Sequence, residues 1–176
     1  MILAVHQSTI TGWLKCFPGG ISKSTLYYQV ASVGRKVSDF EDAVADFIGS
    51  YGDLLSNSSS LTFIIDDTPT KRYGPKIEAA NYFHNPTPSK TDARLCYGHS
   101  WVVLAIALRH PTRGTVVIPL RHVLYIREND VKKLTPKQQK EHPFRTKLTM
   151  AAELIHWAYE QFSPLNKRMT LLVDGG

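Results

Sequence analysis

Two apolar runs in this chain end on acids. "LTFIIDDT" at 61–68 sets Asp66 and Asp67 side by side, and "MTLLVDGG" at 169–176 sets Asp174 after Leu171, Leu172 and Val173. Carboxylates that converge repel one another unless a cation lies between them. Their hard oxygens suit Mg²⁺ or Mn²⁺. Two such ions about 3.5–4 Å apart can activate an attacking oxygen and stabilise a leaving one in phosphodiester cleavage. The competing reading is local, since Asp and Gly are common turn residues at strand ends. Which reading holds depends on whether the two runs are neighbours.

Other chemistries find less support. The seven histidines form no H-E-x-x-H pattern, and Cys16 and Cys96 make neither a zinc cluster nor a disulfide framework. His99 opens an apolar run and reads as a hydrogen-bonded core histidine; His84, in "FHNPTP", could approach a site and receives no role. The net charge of +6 favours an anionic partner, nucleic acid first. No run of about 18 apolar residues predicts a membrane span. The start "MILAVHQSTITGW" has no basic region or cleavage site, so a cytoplasmic, reduced protein is expected.

The elements that must position the acids follow from pattern. Residues 1–58 read as a small helical region. In it, Ser8 or Thr9 is a candidate cap, "FPGG" at 17–20 a break, and Ser22 a second cap. Ser38 and Glu41 have capping-box spacing, with Phe40, Val44, Phe47 and Ile48 as the buried stripe of that helix. A helix-turn-helix within 8–33 could touch DNA through Tyr27, Tyr28, Lys15 and Lys23; packing of the tyrosines in a helical layer is the preferred reading. Leu61–Ile65 reads as a central strand covered on both faces. A polar loop is expected over 69–94, a second strand over 98–109, a turn at "HPTRG", and a third strand over 115–126. Pro119 should hold that third strand at a sheet edge or bulge. A flexible basic loop is expected over 127–140. An amphipathic helix over 144–162 should bury Phe144, Leu148, Ala151, Ile155, Ala158 and Phe162, and Met169–Val173 is the last strand. A right-handed crossover through that helix returns the last strand parallel to the first. Asp67 and Asp174 would then meet at the carboxyl edge of the sheet, where α/β proteins commonly bind ligands.

This order of elements resembles the ribonuclease H-like fold, an α/β mixed sheet with flanking helices. "DDTPTKRYGPKIEAANYFHNPTP", "YGHSWVVLAIALRHP", "FRTKLTMAAELI" and "LLVDGG", in that order, resemble the DDE-type transposases of bacterial insertion sequences. The resemblance implies a catalytic domain over 59–176, and more faintly includes "TITGWL" and "YYQVASVGRK". It implies an acidic triad that binds Mg²⁺ or Mn²⁺, nicks transposon ends and joins the freed 3′-hydroxyl to target DNA, with a homodimer in the synaptic complex. Asp67 matches the first catalytic aspartate and Asp174 the second; Asp66 is left as an alternative to Asp67 for the metal. The family's third acid, a glutamate on a helix beyond the second aspartate, has no counterpart here, so an amino-terminal fragment of uncertain independent activity is expected. Glu153 lies about 140° round from Leu148 and should face solvent rather than replace it.

DNA-binding candidates are Lys71, Arg72 and Lys76 after the first acids, Lys132 and Lys133 with Lys137 and Lys140 in the basic segment, and Arg145 and Lys147 at the helix start. Positive charge at a helix start opposes the dipole, a penalty that a bound phosphate would remove. Two further readings stay open: a ribonuclease H-like nuclease without strand transfer, and a basic DNA-binding module without chemistry.

Overall fold

The computed structural model describes residues 22–50, 60–74, 77–85, 88, 90, 93–110, 112 and 114–173. The chain forms two compact units, Met1–Ala43 and Val44–Gly176. In the first unit, helix α1 (Lys23–Gly34) starts where Ser22 Oγ accepts the Thr25 backbone N–H at 3.1 Å, the cap expected from sequence. Tyr27 and Tyr28 are exposed rather than packed, with Lys23 over one ring and Arg35 over the other. The candidate caps Ser8 and Thr9, the break at 17–20 and the first part of the possible helix-turn-helix lie outside the described residues.

Helix α2 (Val37–Ser50) begins ahead of Ser38, so Ser38 is inside the helix and not its cap. Its buried stripe also differs from expectation. Ala45 and Ile48 are buried with Val44 packed beside them, while Phe40 and Phe47 are exposed. Two apolar stripes lie side by side on this helix, and packing chose the one with the smaller residues.

The second unit is a mixed sheet of five strands: β1 (Ser60–Lys71), β2 (Asn81–His84), β3 (Leu95–His110), β4 (Gly114–Tyr125) and β5 (Arg168–Val173). β1 lies between β3, antiparallel, and β5, parallel. β2 and β4 both pair with β3. The mixed α/β architecture is of the ribonuclease H-like kind. Gly114, with φ +74°, closes the β3–β4 hairpin in a conformation that glycine adopts without a Cβ clash. Among the described strands β4 pairs with β3 alone, and the ladder shifts register between Leu104 and Ala105, opposite Arg121 and Pro119. The proline, which has no N–H to donate, thus sits both on an edge strand and at a bulge.

Two segments read as loops are partly regular. The stretch after β1 contains β2, and the basic segment folds as helices α3 (Glu128–Val131) and α4 (Pro136–Glu141). Thr135 and Gln138 form a reciprocal capping box with Pro136 at the first position. That signal stands in the sequence as "TPKQ".

Helix α5 (Lys147–Phe162) covers one face of the sheet. Alternate residues of β1, Leu61, Phe63 and Ile65, are buried with Leu104 and Ile106 of β3. Against them α5 sets Met150, Leu154, Trp157, Ala158 and Phe162, with the Phe63 and Phe162 rings 5.4 Å apart. The buried stripe is rotated from the expected one: Leu148 is 83% exposed, and Phe144 and Ile155 are also exposed. The face of α5 that carries Met150, Leu154 and Trp157 is the one packed on the sheet, and the face of Leu148 and Ile155 is turned from it. On the other face of β1, Thr62 and Ile64 are half-buried, so the strand is central but deeply covered on one side only.

Candidate active site

β1 and β5 pair in parallel from Ser60–Arg168 to Ile65–Val173. The neighbouring relationship expected of the two apolar runs is therefore present. β1 does not end at its acids, as the sequence reading supposed. It continues to Lys71 because β3 goes on pairing with it, Asp66 opposite Val103 and Asp67 opposite Val102. The acids are thus held by a ladder on one side and stand clear of the described β5 ladder on the other. Asp174 lies outside the described residues, as does Lys76.

Side chains alternate along a strand, so Asp67 continues the series Leu61, Phe63, Ile65 onto the face that carries α5, and Asp66 belongs to the opposite face. Asp67 Oδ2 there accepts from Lys147 Nζ in a close ion pair. Lys147 is the first residue of α5, set in place by Thr146, whose hydroxyl accepts the Thr149 N–H at 3.1 Å. The Lys147 ammonium also lies 5.4 Å from the centre of the Tyr125 ring.

Two cavities meet at this pair. One, of about 300 Å³, is lined by Ile65, Asp66, Asp67, Lys147, Leu148 and Val173 among others. The second, of about 150 Å³, is lined by Asp67, Pro69, Phe83, His84, Ser100 and Lys147. His84, expected in a loop, ends β2 and lines this second cavity. Phe83, Ser100 and Tyr125 carried no sequence signal for this place, because the β3 pairings that bring them here are long-range.

The remaining candidates lie elsewhere. Lys71 and Arg72 line a separate cavity with Tyr73, Leu95 and Tyr97. Arg72 Nε donates to His99 Nδ1 at 3.3 Å, and His99 Nε2 meets the Glu78 carbonyl at 2.8 Å, so His99 is hydrogen-bonded as expected, though half-buried. Lys132 pairs with Glu128 at 2.8 Å and Lys133 with Asp130 at 3.0 Å, so these two lysines are held by acids of their own segment. Arg145 precedes the cap of α5 rather than lying in its first turn, and its guanidinium pairs with Glu153 at 2.5 Å. Glu153 is exposed, as its position on the helix implied.

The sequence matches the DDE superfamily endonucleases over residues 30–176, a span that contains all five strands, α5 and the acids. This chain belongs to the DDE superfamily endonucleases. No curated protein and no solved structure matches it. For a DDE superfamily endonuclease the donor chemistry of the cleft is apt. Asp66 and Asp67 offer hard carboxylate oxygens that suit a divalent cation of the Mg²⁺ kind, and one of them already holds an ammonium. Among the described residues no group of three or more His, Cys, Asp or Glu gathers. Among them, too, no helix is long and apolar enough to cross a membrane.

Proposed function

We propose that this DDE superfamily endonuclease cuts and joins DNA as the transposase of a bacterial insertion sequence, with Asp67 and Asp174 as acids that hold Mg²⁺ or Mn²⁺. The observation that supports this best is the parallel β1–β5 ladder, whose last described pair, Ile65–Val173, stands directly ahead of these acids in the sequence. Neighbouring strands are about 4.8 Å apart, so the ladder carries Asp66 and Asp67 to the sheet edge at which the described part of β5 ends. Bound divalent ions would supply activation of the attacking oxygen and stabilisation of the leaving one.

The chain's own residues do the rest. Asp67 orients toward the α5 face. Lys147 neutralises charge beside it. Lys71, Arg72, Lys76, Lys132, Lys133, Arg145 and Lys147 hold the phosphate backbone, in keeping with the net charge of +6. In this reading residues 59–176 form the catalytic domain, residues 1–58 add DNA contacts, and two copies bring two transposon ends to one target.

The test is Mn²⁺ binding, followed by the paramagnetic signal of the free ion. Asp67→Asn and Asp174→Asn should each weaken binding strongly, and Asp66→Asn much less. Equal binding by the wild type and by both of the first two variants would end the proposal. Loss confined to Asp66→Asn would transfer the metal to the other member of the pair.

A further inference from the structure

We propose that Lys147 is the resident counter-cation of the acidic cleft, exchanged for a divalent ion as the site loads, and that the ammonium so released takes a substrate phosphate. The inference rests on the reading of Asp67 as a metal-binding acid and adds the order of events at that acid.

Three observations carry it. Lys147 Nζ is seated on Asp67 Oδ2, and Lys147 lines both cavities that share this aspartate. Any cation that binds Asp67 from either cavity therefore lies beside the ammonium. The backbone at both ends of the pair is held: Asp67 is paired within the β1–β3 ladder, and Lys147 begins a helix of 16 residues with a capped start. The lysine side chain, a flexible stem of four carbons, has the longer reach with which to answer a change of charge. Finally, the pair is partly open to water, with side-chain exposures of 41% for Lys147 and 49% for Asp67. At such exposure an ion pair shifts an equilibrium by up to about fivefold, which makes it an exchangeable contact and not a structural lock.

Charge supplies the direction. An ammonium at the first position of a helix is opposed by the positive end of the helix dipole, so it needs an anion close by. In the metal-free protein that anion is Asp67. A divalent ion on the same carboxylate removes the counter-charge and repels the ammonium across a few ångströms. A phosphate oxygen then satisfies both the lysine and the helix start. By contrast, Lys132 and Lys133 are paired with acids three or four residues away on their own segment, which cleft loading does not touch.

The experiment titrates Mn²⁺ into the 176-residue chain as wild type, K147M, K147R and D67N. K147M should bind Mn²⁺ about two- to fivefold more tightly than wild type, and K147R, which keeps the charge, about equally. A K147M affinity equal to or below wild type, with D67N weakened, overturns the exchange and leaves the metal reading standing. Equal tightening by K147R assigns the effect to packing and also overturns it. Equal binding by wild type and D67N removes Asp67 from the metal site, and the inference with it.

The second measurement is the salt dependence of duplex DNA binding. The slopes of wild type and K147M should coincide without Mn²⁺ and differ by about 0.9 with it, one phosphate contact. A difference of that size in metal-free solution would show that the lysine is already on DNA and overturn the exchange. Should K147M fail to fold, K147Q carries both measurements.

Discussion

Ile65 on β1 and Val173 on β5 form the last described pair of the parallel ladder, and the next residues in the chain are Asp66 and Asp67 on one side and Asp174 on the other. A strand pair of this kind can bring acids far apart in sequence to one sheet edge. The β1–β3 ladder, which runs on to Lys71 opposite Gly98, keeps the first two from fraying away.

The acids should separate by role in a nicking assay with Mn²⁺ and supercoiled plasmid. Removal of an outer-shell partner of a metal ligand costs 10–100-fold, so loss of a ligand should cost more than about 100-fold. Asp67→Asn and Asp174→Asn should therefore reduce metal-dependent nicking by at least that factor, Asp66→Asn by much less, and chelation of the metal should abolish it. Because the Asp67–Lys147 pair is about half exposed, Asp67→Asn should change unfolding free energy by no more than about 1 kcal/mol. A larger loss on chemical denaturation would mean that the activity change reports unfolding.

DNA binding should weaken with salt, and the share of each lysine should follow its pairing. Lys132 and Lys133 are already balanced by Glu128 and Asp130. Replacement of either by Ala should flatten the slope of log affinity against log salt by less than the value of about 0.9 for a full phosphate contact. A full unit per lysine, measured by fluorescence anisotropy, would show that DNA breaks these pairs.

Gly98 should tolerate no side chain. A Cβ there would stand 1.9 Å from the Thr70 carbonyl oxygen and 2.8 Å from its carbon, both backbone atoms of β1. Gly98→Ala must push apart the β1–β3 ladder that positions the acids, and should destabilise the domain by more than about 3 kcal/mol. Thermal unfolding of the variant near the wild-type midpoint would contradict the packing described.

The burial of α5 predicts opposite outcomes for Leu148 and Leu154, which lie on different faces of the helix. Leu154 is buried against the sheet, so Leu154→Ala should cost about 2–5 kcal/mol. Leu148 is exposed beside the acidic cleft, so Leu148→Ala should stay within about 0.5 kcal/mol. Similar costs at both positions would mean that the helix is rotated from the arrangement described.

Much of this protein was determined by local sequence. The apolar runs at Leu61–Ile65 and Met169–Val173, with the long helix α5 among the elements between β4 and β5, point to parallel neighbours, since a crossover of this kind has one favoured hand. Pro119 determined an edge or bulge because it lacks a donor, and Ser22 a helix start because its hydroxyl takes a free N–H. "TPKQ" was equally legible as a capping box, although the charge of the surrounding lysines drew it toward a loop. What only the tertiary structure decided depends on partners distant in the chain. β1 runs past its acids because β3 offers it hydrogen-bonding partners as far as Gly98. In α2 and α5 two apolar stripes compete, periodicity ranks them alike, and the fit to the sheet chose Met150, Leu154 and Trp157 over Leu148 and Ile155. The closeness of Lys147 to Asp67 has the same origin: eighty residues separate them, and only the seating of α5 on the β1 face brings the ammonium to the carboxylate.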